Sequence, residues 1–181
     1  GSTYLYALGK IVLWVRNDSR LEITKGLEIL RHSAIQKISI ANPEHAPYGR
    51  AARDALRNAG VYDAVKGRLV LGENISQAAQ FVESGNADVG IIALSLALSP
   101  EMKDKGRYRW ISEKLYAPIQ QGAVVIASSQ NSPGARAFLA YLKTFLNPHD
   151  DVSLLRIANT PARGLSDVTM ERLLGASHER K

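Results

Sequence analysis

The sequence predicts an α/β domain built on an open, mostly parallel sheet with helices on both faces. Short apolar runs of strand length at 38–41 (ISIA), 69–71 (LVL) and 89–93 (VGIIA) alternate with amphipathic segments of helix length. The runs are apolar throughout rather than at every second position, which is the pattern of strands covered on two faces. The connections between them are short, as in successive βα units. A chain of 181 residues is long enough for one domain with an appendage and for a substantial core.

Composition excludes several classes of chemistry. There is no cysteine, so neither a disulfide framework nor a thiolate metal site is available. The four histidines (His32, His45, His149, His178) lack metal-ligand spacing, and no cofactor or metal is expected. Apolar runs stop at strand length, which argues against membrane insertion. The net charge of +6 favours anionic partners, but the basic residues are spread along the chain as on a solvated surface, which argues against a nucleic-acid groove. Gly1-Ser2 reads as the remnant of a cleaved tag, so the domain is taken to begin at residue 3 and any native targeting signal lies outside the sequence.

In chain order, 8–15 (LGKIVLWV) reads as a strand closed by Asn17-Asp18-Ser19. Leu27 and Leu30, three apart, suggest a brief helix over 24–31. The strand 37–41 breaks at Asn42-Pro43 and feeds a helix from about Gly49 to Asn58, with Ala51, Ala52, Ala55 and Leu56 at helical spacing. Gly60 suits the left-handed residue that ends that helix. After the strand 69–71, Asn74 or Ser76 can cap a helix over 77–84 that stops at Gly85-Asn86. The strand 89–93 follows, then a charged turn over 100–106, and strand signals at 109–111 and 122–127 (GAVVIA). Pro133 fits the first turn of a helix over 134–146, whose Phe138, Leu139, Leu142 and Phe145 share a face. Short helices are expected over 150–157 and after Ser166 or Asp167.

Two strand-to-helix junctions carry the chemistry: Ala46-Pro47-Tyr48-Gly49 and Gly72-Glu73-Asn74-Ile75-Ser76. In a parallel sheet both lie at the carboxyl edge, where exposed N–H groups and the helix dipole suit an anion. Neither has a lysine or arginine at the helix start, which suits a fully ionised oxyanion held by neutral donors. The same residues also serve as ordinary helix caps, and the pattern alone leaves both readings open. Ser132-Pro133-Gly134 is weaker because proline removes a donor. Glu73 and Asp88 are the acids near junctions and have no histidine partner by spacing. No P-loop, GxGxxG or nucleophile elbow is present, so catalysis is not expected.

The stretches YALGKIVLWV, ANPEHAPYGRAA, LVLGENISQAAQFVESGNADVGIIALS and GAVVIASSQNSPGARAFL resemble the periplasmic molybdate/tungstate-binding proteins of ABC importers, from about Tyr4 to Leu142. The resemblance implies one lobe of a type II periplasmic binding protein fold over 3–142. It implies contacts to molybdate, tungstate or sulfate from Tyr48 and Ile75, chiefly through backbone N–H, with the Tyr48 hydroxyl as a further donor. The family's other lobe, which supplies hydroxyl-bearing ligands, has no counterpart here. Half a site is therefore expected, with weak or lost anion binding, and self-association through the exposed former cleft or hinge strands.

From about 138 the chain (FLAYLKTFLNPHDDVSLLRIANTPARGLSDVTMERLL) resembles a segment of UvrD/Rep-type DNA helicases. That resemblance implies duplex-phosphate contacts at Thr160, Arg163 and Gly164, although Ser166 stands where the family has a second glycine. The helicase nucleotide-binding motifs are absent, so no ATPase follows. The expectation is a chimera: a lobe of periplasmic parentage joined to a helical tail, 143–181, of cytoplasmic parentage that packs on the lobe.

Overall fold

The computed structural model describes residues 3–125 and 133–139. The helices expected beyond 139, and with them Thr160, Arg163 and Gly164, lie outside the described residues. Leu8–Ile119 forms one compact unit, and the remaining described residues belong to another.

The expected first strand is two strands. β1 (Thr3–Gly9) pairs with β7 (Ile119–Val124) in a two-stranded ribbon, whereas β2 (Ile11–Arg16) belongs to a five-stranded sheet. The chain changes sheet at Lys10. Its carbonyl accepts the Leu94 N–H at 2.9 Å and its amine pairs with Glu113 at 2.6 Å.

In the larger sheet β3 (Ile38–Ala41) lies between β4 (Leu69–Gly72) and β5 (Val89–Ala93), parallel to both. β2 runs antiparallel to β5 and to β6 (Gly106–Trp110), giving the order β4-β3-β5-β2-β6. Four strands therefore share one direction and β2 alone is reversed.

The sheet is buried on both sides, as its continuous apolar runs require. Ile11, Leu13 and Val15 join Ile38, Ile40, Val89 and Ile91 on one face, beneath Ala51, Ala52, Ala55 and Leu56 of α1 (Pro47–Asn58). Val12, Trp14 and Ile92 pack on the other face against Ala79 and Val82 of α3 (Ile75–Glu83). Ser39 is the one buried polar residue among those described, and its hydroxyl donates to the Ala78 carbonyl at 2.7 Å.

α1 starts two residues earlier than its alanine spacing shows, with Pro47 in the first position, where a missing N–H costs nothing. It ends as expected at Gly60 (φ 70°). The Gly60 N–H reaches Arg57 O at 2.9 Å and the Val61 N–H reaches Leu56 O at 3.0 Å, a Schellman closure. The segment 24–31 is not one helix. Two 3₁₀ turns spanning Ile23–Arg31 meet at Gly26, whose φ of 62° interrupts them. α2 (Tyr62–Val65) and α4 (Leu94–Ala97) are single turns, too short to show a period in sequence. Residues 133–139 are helical, as Pro133 leads one to expect; within them Leu139 is buried while Phe138 is exposed.

Candidate functional site

Both junctions sit at the carboxyl ends of adjacent parallel strands. Ala41, the last residue of β3, pairs with Gly72, the last of β4, so the loops that follow leave the sheet side by side. The Asn42 N–H donates to Gly72 O at 2.7 Å, and His45 Nε2 donates to Glu73 O at 3.0 Å. Ala41, Ala46 and Ala78 cluster with Ile75 packed against them. The starts of α1 and α3 are thus drawn to one end of the sheet.

Each helix start is fixed locally. In the first loop Asn42 Oδ1 accepts from the Glu44 N–H at 3.0 Å, an Asx turn that aims the chain into Pro47. Gly49, in the first turn of α1, crosses the end of β3 so closely that a Cβ would collide with the Ala41 carbonyl. In the second loop Asn74, one of the two caps the sequence allows, accepts from the Gln77 N–H at 2.9 Å, and Ser76 lies inside the helix. Gln77 reaches back to the Glu73 N–H at 2.6 Å, so the two side chains secure the turn between them. At Gly72 a Cβ would lie 2.7 Å from the Ala78 N, which keeps α3 tight against the strand end.

Of the two residues expected at the site, Tyr48 is the second residue of α1, half-buried against the main core. Ile75 is the first residue of α3 and half-buried. The backbone N–H groups of Gly49, Ile75 and Ser76 make no hydrogen bond among the described residues. Such a pair of first turns offers neutral donors and two helix dipoles to an anion. Asp88 is a structural residue: its Oδ2 accepts from the Gln36 and Lys37 N–H groups, each at 2.8 Å, and anchors the entry to β3. Among the described residues no cluster of histidine, aspartate and glutamate could hold a metal ion. Sequence order gives no sign of His45 at this junction, and the β3–β4 pairing brings it to Glu73.

The sequence matches the family profile described as bacterial extracellular solute-binding protein over residues 1–144. The chain belongs to that family. The molybdate-binding protein ModA of Azotobacter vinelandii is 41% identical over 144 residues, covering 79% of this chain and 56% of that protein. The solved structure of an Azotobacter vinelandii periplasmic molybdate-binding protein superposes with a TM-score of 0.70 at 30% identity, covering 87% of this chain and 67% of that one. The fold is therefore the α/β fold of periplasmic binding proteins, with a mixed sheet and helices on both faces. The chain spans about half the length of the curated molybdate-binding relatives it matches. A separate match, 38% identical over 48 residues, joins 26% of this chain to 7% of the ATP-dependent DNA helicase Rep of Buchnera aphidicola subsp. Baizongia pistaciae. So short a match does not by itself make the chain a chimera.

Proposed function

We propose that this protein binds a tetrahedral oxyanion (molybdate, tungstate or sulfate) at the paired starts of α1 and α3, and that it catalyses no reaction. The observation that carries this reading is the pairing of Ala41 with Gly72, which sets two helix starts side by side at one sheet end. Family membership and relatives described as molybdate-binding support it. On this reading Tyr48 and Ile75 contribute backbone donors, and the Tyr48 hydroxyl adds one more. The two helix starts then hold the ion from one side and leave its other side open to water. Each hydrogen bond to a charged ligand contributes about 1.5–3 kcal/mol, so a site of so few donors binds weakly.

Calorimetry with molybdate, tungstate and sulfate tests the reading. Saturable heat in the high micromolar to millimolar range is expected, and it weakens when Ile75→Pro removes one donor. No heat at millimolar ligand would sink it.

The Rep match favours a second reading, in which 143–181 is a helicase-derived segment and the whole chain a fusion. Thr160, Arg163 and Gly164 would then meet duplex phosphates, with Arg156 and Arg172 as the further cations of the tail. Binding to duplex DNA that weakens with salt, and that disappears when Arg163 and Arg172 become alanine, is the expected result. Binding indifferent to both changes rejects it.

A further inference from the structure

On the flank of α1 a cleft of about 310 Å³ opens between that helix, the loop 42–44, α2 and the edge strand β4. That is the lower end of the about 300–1,000 Å³ typical of small-molecule pockets. Arg53, Arg57 and Lys66 bring three positive charges to it, and Glu44 one negative charge at its rim. Pro43, Leu69 and Leu71 line the opposite wall, and Leu71 is 49% exposed although it belongs to a strand.

The cations are incompletely matched. Arg53 and Arg57 stand four residues apart on one face of α1. Arg53 lies 3.7 Å from Glu44 and 3.6 Å from Asp54, loose ion pairs beyond hydrogen-bonding reach. Its Nε–H is buried with no acceptor, an arrangement that costs free energy until an acceptor arrives. The Arg57 guanidinium is held 4.9 Å over the Tyr62 ring, which fixes it in place while leaving its N–H groups without a hydrogen bond among the described residues. Lys66 alone is neutralised, by Asp63 at 2.9 Å.

We infer that this cleft is a second anion site, for a small organic anion whose carboxylate or phosphate-ester head meets Arg53 and Arg57 while its apolar body lies along Leu69, Leu71 and Pro43. It differs in kind from the junction of α1 and α3. There the donors are neutral backbone groups suited to a bare oxyanion; here they are guanidinium groups beside an apolar wall. A planar fork of N–H groups matches a carboxylate or phosphate oxygen pair, and a basic helix face with an apolar neighbour selects anions that carry carbon. The site stands independently of oxyanion binding at Tyr48 and Ile75.

The test is an amide-resonance titration of the full chain with phenyl phosphate, with inorganic phosphate and, separately, with molybdate. Phenyl phosphate should shift Glu44, Arg53, Arg57, Leu69 and Leu71 saturably, and inorganic phosphate should bind these positions about tenfold more weakly for want of an apolar body. Arg53→Gln with Arg57→Gln should weaken phenyl phosphate by about tenfold or more while the thermal transition stays in place. If that pair disturbs folding, Arg57→Gln alone, on an exposed side chain, should still weaken it severalfold. Shifts confined to Tyr48 and Ile75, equal affinity for inorganic phosphate, or unchanged affinity in Arg57→Gln would each overturn the assignment. Molybdate shifts at Tyr48 and Ile75 report on the other site alone.

Discussion

At Gly49 the first turn of α1 passes over the end of β3 with no room for a side chain, because a Cβ would strike the Ala41 carbonyl and crowd Asn42. The neighbouring atoms are backbone and cannot rotate away. Gly49→Ala should therefore lower stability by about 1–3 kcal/mol, the usual cost of forcing extra atoms into a packed site. Urea unfolding measures it, and a loss of only a few tenths would mean that the helix shifts freely. Tyr116 gives a pH-dependent counterpart. It is 7% exposed, and burial raises its hydroxyl above the usual value of 10.0, more than the bond from the Ile11 N–H lowers it. A folded-state value raised in this way contributes stability that is complete below about pH 10 and is lost as pH rises through the folded value. Tyr116→Phe keeps the ring and removes the ionisation, so its stability should fall less steeply than the parent's between about pH 9 and pH 11. Parallel alkaline slopes in thermal unfolding would contradict this. Several basic residues behind the +6 charge are structural. Arg107 donates to the carbonyls of Ser19 at 2.8 Å and Leu21 at 2.9 Å, and Arg68 to that of Leu30 at 2.8 Å. Those guanidinium groups hold loops.

Among the elements, α3 depends most visibly on one side chain. Asn74 accepts from the Gln77 N–H and Gln77 accepts from the Glu73 N–H, so removing the cap loosens both turns at once. Asn74→Ala should cost about 1 kcal/mol and Asn74→Ser much less, read from denaturant midpoints. Equal losses for the two would show that the side-chain acceptor is not what matters. The cap was legible only as a choice between Asn74 and Ser76, and the Gln77 side chain three residues after Asn74, which closes the turn from the other side, settles it on Asn74. The strands β3, β4 and β5 were legible for a different reason, since burial on both faces writes itself as an unbroken apolar run. What could not be read is set by pairing at a distance. Nothing in LGKIVLWV marks Lys10 as the point where the chain leaves one sheet for another, because the partners that divide it, Leu94 and Glu113, are far along the sequence. The placement of the two junctions at one sheet end followed from strand-to-helix order, whereas Tyr48 and Ile75 are named by the family resemblance alone. The His45 link to Glu73 depends on the β3–β4 register, and the cleft of Arg53 and Arg57 on where α2 and β4 close against α1.

For the whole molecule, the decisive quantity is the apolar surface exposed among the described residues. β1 and β7 form a ribbon of two strands, and such a ribbon is marginal by itself in water. Leu5 is 52% exposed on one strand and Val124 59% on the other. A strand edge flanked by exposed apolar side chains is a template for pairing with another chain. The self-association expected from the sequence should therefore run through this ribbon, and not through the sheet edge at β6, where Arg107 and Arg109 interleave with Tyr108 and Trp110. Sedimentation at increasing protein concentration should show a rising average mass. Leu5→Lys and Val124→Lys should each weaken the association by about tenfold to a hundredfold, the range expected when burial of one aliphatic side chain, worth about 1.5–3 kcal/mol, is replaced by a charge at the edge. Lysine is also the residue with which natural sheets blunt such edges, so the variants test the edge and the apolar contact together. A monomer at every concentration would remove the premise. Association unaffected by either lysine, but lost when Trp110 becomes serine, would move the interface to β6.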